Sequence, residues 1–585
     1  MTMTRSRCKA MVLICAALVL ALDASSRGVP ASGHAVVGAE PEPQCEFDLV
    51  IYGGTSAGIA AAVAAVRSGL SDVVILEPTK RIGGLTTGGL GQTDIGVKWA
   101  FGGIAREFYR DIKRHYDNPA AWKWQKRSEY RSGGQTKNDP NEDTMWTFEP
   151  SAALSVLESW EKGSSLDIRR GERLDRRPGG VTVDGGRIAS IRTLSGKVFK
   201  AKMFIDATYE GDLMAAAGVT YAVGREANSV YGETINGVQA GWHPDDFPKE
   251  WDNQIHVAVD PYVVPGDRSS GLIRGIEPEG RESPNGSGDN RIQAYCFRMC
   301  MTDVPENRIP FAKPEGYDER DYELLFRIAE AGGDLTLSNF SAMPNRKTDT
   351  NNRGGVSTDY IGGNWDYPEA SYDERERIVR AHLKYQRGLM WTLANHPRVP
   401  KAVRDFYSKW GMCRDEFEGE RGDGWQNQLY IRESRRMVGE YVMTEQDCRQ
   451  LRTVPHPVAL AAYGMDSHNV RRHVVDGKVM NEGDVQDHNF SRPYPIEYHS
   501  LTPKRSECAN LMVPVCVSAS HIAYGSIRME PVFFALGQVA GTAAAQALSE
   551  GVAVQDVDYP ALRVRLERAG QVLSRRTAEV ERDSP

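Results

Sequence analysis

The sequence contains no C-x-x-C pair and no cluster of four cysteines, so it has no visible ligand set for an iron–sulfur centre of the ferredoxin kind. It also lacks a basic excess. Lysine and arginine number 71 against 78 acidic residues, a net charge of −7, and nothing in that balance favours a nucleic-acid partner. Internal repeats and low-complexity tracts are absent. Beyond Ala35 no apolar run is long enough to cross a bilayer core of about 30 Å. What is there is ordinary globular composition, 41% hydrophobic and 25% charged, in a 585-residue chain long enough for two lobes.

The N-terminus follows a separate logic. Arg5, Arg7 and Lys9 precede an unbroken apolar run from Met11 to Leu22. Twelve helical residues cover only about 18 Å, so the segment predicts a Sec-type signal peptide rather than an anchor. Residues 1–35 are thus expected to be signal peptide and leader, cleaved after Ala24 or Ala35, and the chain is expected to be exported. Of nine cysteines, Cys8 and Cys15 fall in that segment. The other seven are Cys45, Cys296, Cys300, Cys413, Cys448, Cys508 and Cys516, an odd number whose pairing is not readable.

Phe47–Tyr52 reads as a buried strand, the small-residue run Ile59–Ser68 as a helix, and Val73–Leu76 as a second strand. Together they make a β–α–β unit of about 30 residues. Ile104–Tyr116 and Ser151–Lys162 read as helices, and Val181–Arg187, Ile188–Leu194 and Val198–Ile205 as a strand meander. From Gly224 to Arg505 the chain reads as loop-rich. Asn510–Ser518 then reads as a strand and Pro531–Leu548 as an apolar helix opened by proline.

The turn inside the β–α–β unit carries the chemistry. Gly53-Gly54-Thr55-Ser56-Ala57-Gly58 leaves a strand and opens a helix, whose N-terminal amides and dipole suit a diphosphate. Glu77 ends the second strand, where a carboxylate accepts hydrogen bonds from ribose hydroxyls. Thr55 replaces the middle glycine of G-x-G-x-x-G, and its hydroxyl is expected to donate to the phosphate. Arg81-Ile82-Gly83-Gly84 and Thr86-Thr87-Gly88-Gly89 then form a second backbone-rich loop, which favours FAD over a nicotinamide cofactor.

With that loop the chain resembles FAD-dependent oxidoreductases of the glutathione-reductase-like Rossmann superfamily. Phe204–Leu213 and Ser520–Pro531 are similar to the secreted bacterial FAD-dependent oxidoreductase family, over roughly Phe47–Ser574. The resemblance implies FAD contacts at Asp206, Ala207 and Thr208, with Tyr209 standing where glycine is usual, and at Gly525 and Met529. The expected fold is α/β, with a Rossmann-type FAD-binding lobe built from residues 46–220 and 505–550. A mixed α+β substrate lobe spans 221–504, and a C-terminal helix and tail span 551–585.

Catalytic candidates are His521, Tyr524 and Arg528 before the last apolar helix, and His468 in a polar stretch. A histidine near its ordinary pKa suits proton removal during hydride transfer. Arg528 and Glu530 either pair with each other or serve the site. The run Arg432–Arg436 either binds an acidic substrate or forms salt bridges. Asn345–Asn352, read as an ordered surface loop, suits a sugar-like ligand together with Trp365. Asp349 and Asn351 fall short of a calcium-loop pattern, and no metal site is expected. The expected reaction is oxidation of a small polar or carbohydrate-like substrate with hydride passing to flavin N5. The alternatives are an FAD-linked reductase and an exported flavin-binding, carbohydrate-binding or polysaccharide-cleaving protein without redox turnover. Arg5-Ser6-Arg7 is not a twin-arginine signal, so an exported chain would take up FAD after crossing.

Overall fold

The computed structural model describes residues 45–132, 142–240, 253–280, 283–487 and 492–575. The expected signal peptide and leader lie outside them. Strand β1 (Cys45–Tyr52), helix α1 (Ser56–Arg67) and strand β2 (Val73–Glu77) form the expected crossover unit, with β1 and β2 parallel. Leu49, Val50 and Ile51 are fully buried, as strands covered on both faces require. Each such side chain contributes about 1.5–3 kcal/mol by leaving water. Helices α2 (Gly103–Asp117) and α3 (Pro150–Gly163) follow, then β3 (Asp167–Arg170), β4 (Val181–Asp184), β5 (Arg187–Arg192) and β6 (Val198–Asp206). The sheet order is β3-β2-β1-β6-β5-β4, parallel from β3 to β6 and antiparallel from β6 to β4.

The stretch from Gly224 to Arg505 is more regular than its composition predicts. It holds a second, antiparallel sheet of β7 (Met299–Thr302), β8 (Arg308–Pro310), β9 (Ser338–Met343), β10 (Lys347–Asn352) and β11 (Gly411–Cys413), in the order β8-β11-β7-β10-β9. It also holds the 24-residue helix α4 (Tyr372–Asn395), started by a capping box of Ser371 and Glu374. The charged opening Tyr372-Asp373-Glu374-Arg375-Glu376-Arg377 hides the apolar face, which is why the helix goes unseen in sequence. The Asn345–Asn352 segment is likewise mostly strand β10, not a surface loop. Its polar side chains are buried because partners satisfy them: Asp349 pairs with Arg298 at 2.6 Å and Lys347 with Glu416 at 2.7 Å.

Strands β12 (Pro457–Ala461), β13 (Met465–Ser467) and β14 (Tyr494–Glu497) precede the C-terminal helices α5 (His521–Ile527), α6 (Glu530–Glu550) and α7 (Tyr559–Arg568). The strand expected over Asn510–Ser518 shrinks to Leu511–Met512, parallel to β6. Beyond it the backbone leaves the sheet: the Val513 and Ser518 amides donate to the carbonyls of Leu501 and Ser500, and the Cys516 carbonyl accepts from Met437. Helix α6 is long and apolar enough to cross a bilayer by length and composition, but it is a core helix, buried from Glu530 to Ala547. It lies against α1 at near-backbone distance. A Cβ on Gly537 or Gly541 would fall 2.2 or 2.1 Å from the carbonyl oxygens of Ala57 and Ala61. That close packing seats the N-terminus of α6 beside that of α1.

Candidate functional site

A cavity of about 500 Å³ opens where the β1–α1 turn meets the end of β2. Gly53, Thr55, Glu77, Arg81, Gly84 and Thr208 all line it. Gly53 takes a left-handed φ of +103°, as the tight turn requires. The Glu77 carboxylate is held from behind: Oε2 accepts the Gly54 N–H at 2.8 Å and Oε1 the Thr79 N–H at 2.7 Å. Burial pushes its pKa upward against those hydrogen bonds. Arg81 donates to the Thr87 carbonyl and pairs with Glu420 at 3.2 Å, while its buried Nη2 has no hydrogen-bond partner. An unpaired guanidinium nitrogen, a carboxylate and a glycine turn on one cavity wall fit the diphosphate and ribose of a dinucleotide.

The turn is not organised wholly as its motif suggests. The Thr55 hydroxyl caps α1, accepting from the Gly58 N–H at 3.3 Å, and donates to the Ala207 carbonyl at 2.7 Å rather than facing a phosphate. Ser56 and Thr86 donate to one carboxylate oxygen, Glu530 Oε2, at 2.5 and 2.6 Å, and Tyr209 donates to Oε1 at 2.8 Å. Glu530 thus sits buried in the first turn of α6, beside the start of α1. Its pKa is raised by burial, which these hydrogen bonds oppose. Tyr209, standing in place of the usual glycine, also accepts the Leu85 N–H at 2.9 Å. It joins the second loop to the helix pair.

Across this junction lies a narrow cleft of about 10 Å³, lined by Leu85, Leu90, Asp94, Tyr430, Arg528, Met529 and Glu530. Gly84 faces the larger cavity and Leu85 the cleft, as do Leu429 and Ile431 on one side and Tyr430 on the other. The two spaces are therefore neighbours. The cleft holds about one water, so a ring enters only when its lining side chains part.

Charge around the cleft is dense and balanced. Arg432, Arg298 and Arg528 stand 4.4, 5.5 and 6.0 Å from the Tyr430 ring centre. Each has a carboxylate partner: Asp359 at 3.1 Å, Asp349 at 2.6 Å and Asp466 at 3.3 Å respectively. Arg528 also donates to the Tyr430 hydroxyl at 3.0 Å. Buried nitrogens remain without hydrogen-bond partners on all three arginines: Arg298 Nη1, Arg432 Nε and Arg528 Nε. Burial raises the pKa of Asp94, which favours its neutral acid.

His468 stands one step behind. Its Nδ1 is 2.8 Å from Asp359 Oδ2, and its Nε2 is 3.8 Å from Asp466 Oδ2. Burial, and then the positive charge of Arg432, lower its pKa below the usual histidine value, so it is neutral at neutral pH. Burial would raise Asp359, but Arg432 and His468 outweigh it and hold its carboxyl at about 2. An ionised Asp359 fixes the histidine proton on Nδ1 and leaves Nε2 as a proton acceptor.

The remaining predicted residues take other places. His521 is buried, with Nδ1 2.8 Å from Glu433 Oε2 and Nε2 3.2 Å from Ser467 Oγ. Tyr524 is buried in α5 and lines neither the cavity nor the cleft. Ala57 packs beneath Gly537, and Gly83 donates its N–H to the Gly54 carbonyl at 2.7 Å. The Asp206 carboxylate accepts the amides of Thr208 and Met214 and the Thr208 hydroxyl, and burial raises its pKa to about 6. Gly525 admits the Asp466 backbone, which a Cβ would meet at 2.5 Å, while Met529 lines the cleft. Arg528 and Glu530 do not pair with each other. Arg432, Arg435 and Arg436 form buried salt bridges, to Asp359, Asp212 and Glu226 among others. Trp365 donates to the Val470 carbonyl and lies under Arg291.

The motif reading misses Asp94, Tyr430, Arg298 and Asp359. Asp359 meets a histidine 109 residues away, with no local pattern to announce it. Tyr209 alone left a signal, as a departure from an expected glycine.

A family model described as FAD dependent oxidoreductase matches residues 48–566. No curated protein matches the chain. Solved structures with partial similarity include an L-amino acid deaminase from Proteus vulgaris, with 17% identity and a TM-score of 0.22 over 33% of this chain and 54% of that one. A 3-ketosteroid-delta4-(5alpha)-dehydrogenase from Rhodococcus jostii RHA1 gives 17% identity and 0.19 over 31% and 50%. A flavin-containing monooxygenase from Stenotrophomonas maltophilia gives 18% and 0.18 over 32% and 43%. The chain spans about two fifths of the length of the first solved structures it matches. Overlaps this partial carry no argument about activity or substrate.

Proposed function

The chain belongs to the FAD dependent oxidoreductase family, with FAD as its cofactor, and on that premise we propose that it oxidises a small, neutral, polar substrate, with FAD supplying the hydride acceptor. The arrangement that carries this reading is the His468–Asp359 pair, set behind a cleft at the N-terminus of α6. Gly53, Glu77, Arg81 and Gly84 hold the nucleotide end in the larger cavity. Met529 and the first turn of α6 meet the redox end.

His468 accepts the proton that a hydroxyl group of the substrate loses, and Asp359 steadies the imidazolium that forms. Arg298, Arg432 and Arg528 each face an aspartate, so the cleft has no surplus positive charge with which to hold an anion. Arg528 lines the cleft, and its unpaired Nε–H suits a neutral oxygen atom instead. A sugar or other polyol has that chemistry, which supports a carbohydrate-like substrate. Export through a signal peptide in residues 1–35 belongs to the same proposal and would place the enzyme among such compounds.

The test is an anaerobic screen of FAD-loaded protein against neutral polyols, sugars, amines and carboxylates, followed by flavin absorbance. Bleaching by a neutral hydroxyl compound, retained on adding salt, is the expected result. Reduction by carboxylates alone, or polysaccharide cleavage with the flavin spectrum unchanged, would overturn the proposal.

A further inference from the structure

Away in sequence from the residues that line the cavity and the cleft, three side chains before β12, at the end of β14 and in the turn that follows it bring donor atoms close together. His456 immediately precedes β12, Glu497 ends β14, and His499 lies in the 3₁₀ turn Tyr498–Leu501. His456 Nδ1 is 2.8 Å and His499 Nδ1 3.0 Å from the same oxygen, Glu497 Oε1. One donor atom from each of the three lies within 4.8 Å of the others. Among the described residues this is the one group of three or more histidine, cysteine and carboxylate side chains so close.

The scaffold beneath is firm. Strands β12 and β14 pair antiparallel with Pro457 opposite Glu497, and the Tyr498 N–H donates to the His456 carbonyl at 2.9 Å. The second Glu497 oxygen accepts the His499 backbone N–H. Tyr559 of α7 packs edge-on against the His456 ring and donates to the Pro457 carbonyl at 2.9 Å. Both imidazole rings are partly open to solvent, with 39% and 25% of the side chain exposed, whereas Glu497 is buried. A cation can thus enter from solvent, and waters can complete its coordination.

We propose that His456, Glu497 and His499 form a site for a divalent transition-metal ion of zinc-like character. Two imidazole nitrogens and one carboxylate oxygen are ligands for such an ion, and three protein donors leave room for water. On binding, the Nδ1 protons that now face Glu497 leave to solvent or are replaced by protons on the outward Nε2 atoms, so the metal replaces two hydrogen bonds with two metal–nitrogen bonds. The ligands span two strands and a turn packed against α7. The ion would fasten this edge of the molecule, and its binding is independent of the flavin reading.

The experiment titrates Zn²⁺ alone into the chelator-treated full chain by calorimetry, with melting temperature followed in parallel. Co²⁺ serves as a spectroscopic probe of the ligands. The expected result is one Zn²⁺ per chain, a raised melting temperature, and a Co²⁺ absorption band showing nitrogen ligation. In His456→Ala/His499→Ala all three are lost. In Glu497→Gln, which keeps the local shape, affinity falls about 10-fold or more. Absence of Zn²⁺ binding to the wild-type chain, or undiminished binding to folded Glu497→Gln with an unchanged Co²⁺ spectrum, would overturn the proposal. Glu497→Gln keeps the test open should the double variant fail to fold.

Discussion

The two ends of the candidate site are made in opposite ways. At the nucleotide end, Gly53, Glu77, Arg81 and Gly84 fall within 32 consecutive residues, and a strand, a turn and a helix place them. At the cleft and just behind it, Asp94, Asp359, Tyr430, His468 and Arg528 come from five separate segments spread between residues 94 and 528 and depend on side-chain pairing for their positions. The first end is held by local backbone geometry. The second is held by buried charge pairs, each of which loses its balance when one partner is removed.

That contrast can be broken at its weakest point. Replacing His468 with alanine is expected to lower kcat/KM about 100- to 10,000-fold, with FAD still bound, as loss of a general base does. In the wild type, kcat/KM should rise with pH through a limb lying below about 6.5, because neutral His468 is the active form and its pKa is depressed. The variant should lose that limb. A pH profile shared by wild type and variant would remove His468 from the mechanism.

The next largest effect concerns the scaffold common to both ends. Gly537→Val forces a side chain into the Ala57 carbonyl, and a stability loss of about 3 kcal/mol is expected from denaturant unfolding. FAD affinity should fall in the same variant, since α1 and α6 separate together. At the nucleotide end alone, Arg81→Ala removes the unpaired guanidinium nitrogen. It should raise the FAD dissociation constant about 10-fold, close to 1.4 kcal/mol, measured by fluorescence titration. The rate of flavin reduction at saturating FAD should hardly move. Smallest is Tyr430→Phe, which deletes one hydrogen bond to Arg528. Stopped-flow reduction should slow by less than about 10-fold, a fraction of the about 1.5–3 kcal/mol for a hydrogen bond to a charged group, because Arg528 keeps its pairing with Asp466.

The same contrast explains what could be read in the sequence. The β1–α1–β2 unit was legible because three periodicities and a glycine turn are adjacent, and Glu77 follows at a fixed offset. Helix α6 was legible from its apolar run and its proline. The Asp359–His468 pair was not, because only tertiary packing brings residues 109 apart together. Thr55 departs from its motif for a related reason: its hydroxyl has a partner, the Ala207 carbonyl, supplied by the residue that follows the neighbouring strand β6. The buried polar strand β10 has the composition of a surface loop, because burial of Lys347 and Asp349 depends on partners elsewhere in the chain. The cluster at His456, Glu497 and His499 leaves no sequence pattern for the same reason, as two strands must pair before its donors meet.

The most direct test compares anaerobic flavin reduction in wild-type and His468→Ala protein, both loaded with FAD, using one neutral hydroxyl substrate. The account predicts equal FAD content, rapid bleaching of the wild type and a loss of at least about 100-fold in the variant. Equal bleaching rates in the two proteins, or failure of the wild-type chain to take up FAD, would contradict it.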